Sequence, residues 1–126
     1  MTTQPIYDVF ENHCPARMVL DRLADKWALL ILNGLKDGPV RFNSIRRNIK
    51  GISQKVLSQT LKKLERDGII SRAVFPTVPV TVEYALTPLG HTLTETVDAL
   101  AHWAEDHMDS VVAAQQAYDA ADGGRV

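Results

Sequence analysis

Cysteine occurs once in the 126 residues, at Cys14, so no disulfide can form within the chain. An excess of charge of one sign is also missing, because the formal net charge is only −1. Taken over the whole molecule, that balance offers no general attraction to a polyanion. The longest apolar block runs from Trp27 to Leu32 and is far shorter than a membrane-spanning helix requires. The opening residues, MTTQPIYDVFENH, lack the basic start and apolar run of a secretory signal. With a lone thiol as well, a cytoplasmic protein without a membrane partner is expected. The four histidines (His13, His91, His102 and His107) and the single cysteine lack the paired spacings of a zinc site. No glycine-rich phosphate loop is present, since Gly34 and Gly38 belong to a helix end and a turn. No serine has a histidine and an acid in a triad-like context. No cofactor and no catalytic residue are expected.

What the chain does have is a core and an uneven distribution of charge. Its hydrophobic content of 45% and its length suit one domain, and exclude two. Residues 41–72 carry nine basic side chains against two acidic ones, a local net charge of +7. Residues 73–126 carry eight acidic side chains and one basic, a net of −7. Charge interactions are screened within about 10 Å at moderate salt, so a polyanion responds to the local field and not to the total. The middle of the chain is therefore the electrostatic footprint.

Within that footprint lies SQKVLSQTLKKLERDG, residues 53–68. Leu57, Leu61 and Leu64 recur at helical spacing and share one face. Lys55, Gln59, Lys62 and Arg66 fall on the opposite face, with Ser58 beside them. Ser53 can cap the first turn, and Gly68 can end the helix in a left-handed conformation. The mundane explanation is a solvated helix face. A helix that offers amides, hydroxyls and cations together also suits the DNA major groove, where the first two read base edges and the cations pair with phosphates.

The flanking segments decide between these readings. Residues 1–12 read as a flexible arm with Ile6, Tyr7, Val9 and Phe10 as anchors. A short helix from Pro15 to about Leu23 follows. Asp25 then caps a helix from Lys26 to Lys36 that is apolar nearly all round and so expected at the buried centre; Asp37-Gly38-Pro39 stops it. Val40-Arg41 is a brief extended piece. A third helix runs from about Phe42 to Ile49, with Phe42, Ile45 and Ile49 inward, and Gly51 turns into the basic helix. Two short helices joined by a glycine turn make a helix-turn-helix. Ile69 to Phe75 and Val80 to Leu86 form a hairpin with a proline-stiffened tip, Pro76-Thr77-Val78-Pro79. Thr87 or Pro88 opens a long helix to about Tyr118, striped by Leu89, Leu93, Val97, Leu100, Trp103, His107 and Val111. Residues 120–126 read as a frayed tail, which leaves a core of about residues 14–109. The expected fold is mainly α with a small β-hairpin wing, a winged helix-turn-helix. A stripe along a helix of about 45 Å exceeds what one small domain can cover, so a second chain is expected on it.

Cys14-Pro15, Asp25-Lys26-Trp27, Gly38-Pro39-Val40-Arg41-Phe42, Gly51-Ile52-Ser53, Leu64-Glu65-Arg66-Asp67-Gly68 and Val82-Glu83-Tyr84-Ala85-Leu86-Thr87 stand in that order, closed by Gly90 and Trp103. As an ordered set these residues resemble the HxlR family of bacterial winged-helix regulators, relatives of the MarR group. The likeness covers about 90 residues by count of the matching run. It departs at Ala24-Asp25, where many relatives have two glycines, and at Val78-Pro79, where a double proline is common. The resemblance implies a homodimer on a pseudo-palindromic operator, joined through the N-terminal helix and the long C-terminal helix. A repressor is expected. Residues Ser53, Gln54, Lys55, Ser58 and Gln59 are the candidates for reading bases, and Arg41, Arg47, Lys62 and Arg72 for phosphate. Met18, Leu93, Val97, Leu100, Trp103 and Val111 are the candidates for the dimer interface.

Some members of the family sense oxidants through a cysteine placed before the first helix, and Cys14 occupies that place. A thiol at a helix N-terminus, with Arg17 one turn away, is favoured as the reactive thiolate. An oxidant, quinone or electrophile is then the candidate effector, with Cys14 as redox-sensing residue. A buried packing residue at the dimer interface is the other reading of Cys14. For the whole protein, the alternative function is a winged-helix module that binds protein without sequence-specific DNA binding. An enzyme built on Cys14 would need a base and a pocket, and the sequence marks neither.

Overall fold

A computed structural model describes residues 7–122 and divides the chain into two compact units, Met1–Thr94 and Glu95–Val126. In the first unit the helices are α1 (Pro15–Leu23), α2 (Lys26–Gly34), α3 (Phe42–Asn48), α4 (Gln54–Arg66) and α5 (Pro88–His91). The strands are β1 (Val40–Arg41), β2 (Ile70–Phe75) and β3 (Thr81–Leu86). Helix α6 (Thr94–Asp122) starts at the last residue of the first unit and forms the described part of the second. The chain is a winged helix-turn-helix: mostly helical, with a small antiparallel sheet in the order β1-β3-β2. The brief extended piece at Val40-Arg41 is the third strand, pairing Val40 with Tyr84 and Arg41 with Glu83.

Local chemistry fixes both ends of α4. The Ser53 hydroxyl accepts the Val56 N–H at 3.1 Å, satisfying one of the free donors of the first turn. At the other end Gly68 adopts φ +77°, Ile69 N–H bonds Leu64 C=O and Gly68 N–H bonds Glu65 C=O, each at 3.0 Å. These are the two bonds of a Schellman cap, which only a residue at ease with positive φ can close cheaply. Leu57, Leu61 and Leu64 are fully buried, and α4 packs on α2 and β2. The rest of the core is Ala28, Ile31, Leu32 and Leu35 of the α2 segment, Ile45, Ile49 and Ile52 around the turn, and Ile69, Ile70, Tyr84 and Leu86 from the hairpin.

Several expectations are corrected. Helix α2 ends at Gly34, two residues early, because Lys36 N–H and Gly38 N–H bond three residues back in successive turns. It is also not buried all round: Leu30 is exposed, Trp27 and Leu29 are half-buried, and Ala28 is the buried residue the pattern missed. Asp25 does cap it, accepting from Trp27 N–H and Ala28 N–H at 3.1 and 3.2 Å. The expected single helix from Pro88 is two. Thr92 N–H bonds Leu89 C=O and Leu93 N–H bonds Gly90 C=O, three residues back, so the helix overwinds and stops before α6 starts. Helix α6 continues to Asp122, taking in part of the expected frayed tail; residues 123–126 lie outside the described residues. Tyr7, Val9 and Phe10 are exposed and so do not serve as anchors among the described residues, whereas Ile6 lies outside them. Asp8 organises a turn there, accepting the Phe10 and Glu11 N–H groups.

Candidate nucleic-acid interface

Burial of the three leucines dictates which way α4 presents its polar side chains. Gln54, Lys55, Gln59, Lys62, Lys63 and Arg66 are exposed, and Ser58 is half-buried on the flank. Ser53 is exposed too, but its oxygen is occupied by the cap, which leaves its O–H hydrogen as the group free to donate outward. The candidates for base reading therefore lie together at the cap and first two turns, as a groove-reading helix requires.

The phosphate candidates flank this helix. Arg41 is exposed at the end of β1, 3.8 Å from Glu83, a long and solvated pair that is worth little and is readily exchanged for another anion. Arg47 is exposed on α3, its Nη2 donating to Ser44 Oγ at 3.1 Å. Arg41 and Arg47 line a groove of about 510 Å³ between α3 and the wing, with Asn43, Ser44, Val80 and Thr81 on its walls. Sequence reasoning missed Asn43, Ser44 and Thr81: the first two stand between the arginines in the chain but carry no charge to single them out, and Thr81 joins them only when the hairpin folds beside α3. Arg72 is exposed on β2, in register with Tyr84. Beyond it the wing is uncharged from Ala73 to Val82, and Val74, Phe75, Val78 and Val80 are exposed. Thr77 braces the tip, its hydroxyl 2.7 Å from the Pro79 carbonyl.

Cys14 is the N-cap residue of α1 and is buried, with Sγ accepting the Asp8 N–H at 3.2 Å. Helix terminus and burial, the physical bases of its two readings, are thus both present. Among the interface candidates, Met18, Leu100 and Trp103 are each more than half exposed, while Leu93 and Val111 are half-buried. Val97 is buried, at 7% exposure. His102 and His107 are exposed, each turned back on the carbonyl four residues earlier, and His107 stacks on Trp103 at 4.9 Å. Among the described residues no cluster of His, Cys, Asp or Glu could hold a metal, and no helix is long and apolar enough to cross a membrane.

A feature without any local sequence signal ties this site together. Arg22 in the last turn of α1 forms a two-pronged pair with Asp67, the C-cap of α4: Nε to Oδ2 at 2.6 Å and Nη2 to Oδ1 at 3.0 Å. The hydrogen bond, and then the charge, of Asp67 raise the Arg22 pKa above its ordinary value, favouring the charged form that arginine already holds.

Comparison with known proteins agrees with this geometry. The HxlR-like helix-turn-helix family profile matches residues 22–112. The uncharacterized HTH-type transcriptional regulator YtfH of Escherichia coli (strain K12) is 45% identical over 106 residues, 84% of each chain. A solved structure of the transcriptional regulator ytfH from Salmonella typhimurium superposes with a TM-score of 0.83 at 43% identity, covering 87% of this chain and 98% of that one. The redox regulator HypR in its oxidized form superposes with a TM-score of 0.68 at 40% identity, over 74% of this chain and 96% of that one. The chain belongs to the HxlR-like helix-turn-helix family of DNA-binding transcriptional regulators.

Proposed function

We propose that the protein is a homodimeric repressor acting in the cytoplasm, which reads a pseudo-palindromic operator with α4 and grips its backbone with Arg41, Arg47, Lys62 and Arg72. It acts by binding and not by catalysis. The observation that carries this reading is the face of α4: Lys55, Gln59 and Lys62 stand exposed opposite three buried leucines. Amide and ammonium groups at the start of such a helix reach base edges, whereas arginines on flanking elements meet phosphate.

Binding by gel shift tests the assignment. Gln59→Ala is expected to cost about 1–3 kcal/mol on the preferred duplex and little on random DNA. Arg72→Ala is expected to weaken both and to lower the salt slope by about one unit. If every substitution weakened both DNAs equally, α4 would not be the reading element. The exposed Met18, Leu100 and Trp103 support a dimer, with half-sites about 34 Å apart. Light scattering at micromolar concentration should return twice the chain mass, and a folded monomer would contradict it.

Cys14 is proposed as a thiol switch that releases DNA when oxidised or alkylated. Its place at the cap of α1 supports this, as does the likeness to a redox regulator. A tenfold loss of affinity needs only about 1.4 kcal/mol of difference between the two forms, which one repacked helix can supply. Peroxide, diamide or a quinone should release the parent protein, and Cys14→Ser should bind DNA yet ignore all three. A Cys14→Ser protein that still responded would reduce the thiol to a packing residue.

A further inference from the structure

Helix α1 has weak support along its length and firm support at its ends. None of its nine residues is buried, and Met18 and Leu20 are more than half exposed. Its N-cap, Cys14, is buried. Its last turn carries Arg22, whose fork grips Asp67 with side-chain exposures of only 27% and 11%. Two parallel bonds fix an angle as well as a distance, which a single Lys–Asp contact does not. The residue gripped is the C-cap of α4, so the fork holds the far end of the helix whose first turns are assigned to the bases.

We propose that Arg22 is a positioning residue for DNA reading: the Arg22–Asp67 fork joins α1 to the end of α4, and the placement of α1 thereby sets the pitch of α4 in the major groove. The inference rests on the reading of α4 as the recognition helix. Base-edge hydrogen bonds require their donors within about 0.5 Å and 10–20° of ideal, whereas flexible cations follow a phosphate over a wider range. A change of helix pitch is therefore read as lost sequence preference and not as lost attraction to DNA. Met18 and Leu20, on the same helix, are apolar surface that a second copy would cover. One element would then set both half-site spacing and helix pitch. Removal of the fork has a definite local result as well. Lys63 and Arg66 line the same small cleft as Arg22 and Asp67, so either can turn to the orphaned carboxylate and replace the fork by a contact within α4, which no longer ties α4 to α1.

The test uses the full-length protein and the tightest duplex that it selects from a random pool. Arg22→Gln should lose about tenfold in affinity for that duplex, keep its affinity for unselected DNA and keep its salt slope, with an unchanged helical circular dichroism spectrum. Arg22→Lys, which retains the charge but not the fork, should fall between the two. The exchange Arg22→Asp with Asp67→Arg should recover selective binding. Equal losses on both DNAs, no loss at all, or full activity in Arg22→Lys would overturn the proposal. A folded exchange variant that recovers nothing would also overturn it. Should the parent select no duplex, the reading of α4 itself fails, and the positioning role with it.

Discussion

Replacing Gly90 by alanine will destabilise the protein by about 3 kcal/mol, seen as a lower urea midpoint at an unchanged slope. A Cβ at this position would lie 2.1 Å from the Ile69 carbonyl oxygen and 3.2 Å from Leu86 Cδ2. The first of these contacts is with backbone, and that backbone cannot yield easily. The Ile69 carbonyl accepts the Thr87 N–H at 3.1 Å and the Thr87 hydroxyl at 3.0 Å, and the same hydroxyl caps α5 by accepting the Gly90 N–H. To accommodate one methyl group, α5 would have to leave the end of the hairpin and give up these bonds. Gly34→Ala is the matched control, because a Cβ there meets nothing within 4 Å. At the end of a helix it should stabilise by up to about 1 kcal/mol. A Gly90→Ala protein with the parent's midpoint would mean that α5 does not pack against Ile69.

Truncating Leu57 to alanine should cost about 2–5 kcal/mol, the range for a wholly enclosed leucine, and should damage DNA reading even where the protein remains folded. Leu57 is 0% exposed and sits between the Ser53 cap and Gln59, so it anchors the very turns that present Lys55 and Gln59. The cavity would lie directly beneath those turns. Their movement should lower affinity for the selected duplex more than for random DNA. Leu30→Ala, on the exposed side of α2 at 44% exposure, should cost about 0.5 kcal/mol by contrast. Similar losses at the two positions would show that α2 is enclosed on all sides, as its composition alone implies. Urea unfolding and gel shifts on the same preparations measure both effects.

That contrast marks what could be read in the residues and what could not. Caps and periods are local, so Ser53, Asp25 and Gly68 announced their helix ends, and the leucine spacing fixed the outward face of α4. The hairpin strands came within one residue for the same reason, since prolines bracket the tip. Helix α2 was ambiguous because a run such as Trp-Ala-Leu-Leu-Ile-Leu has no polar side to orient it, and only packing chose Ala28 over Leu30. The break at Thr92 lies two residues beyond Gly90, whose backbone packs against Ile69, a contact between residues distant in the chain. Arg22 and Asp67 are 45 positions apart, and nothing in either neighbourhood marks the other as its partner. The groove beside the wing was half legible. Arg41 and Arg47 stood out by charge, Asn43 and Ser44 carry no such signal, and Thr81 comes beside them only through folding.

The 29 residues of α6 bury a single side chain, Val97, among those described. An amphipathic helix of about 44 Å gains little of its stability from propensity and most of it from what covers its apolar stripe. If that cover is a second chain, its order is governed by mass action, and the melting temperature must rise with the logarithm of protein concentration. The cell's stock of this regulator would then set two quantities at once: how many copies meet the operator, and what fraction of them is assembled well enough to read it. Halving expression would lower occupancy by more than half, so a promoter under its control would respond to the amount of regulator more steeply than in proportion.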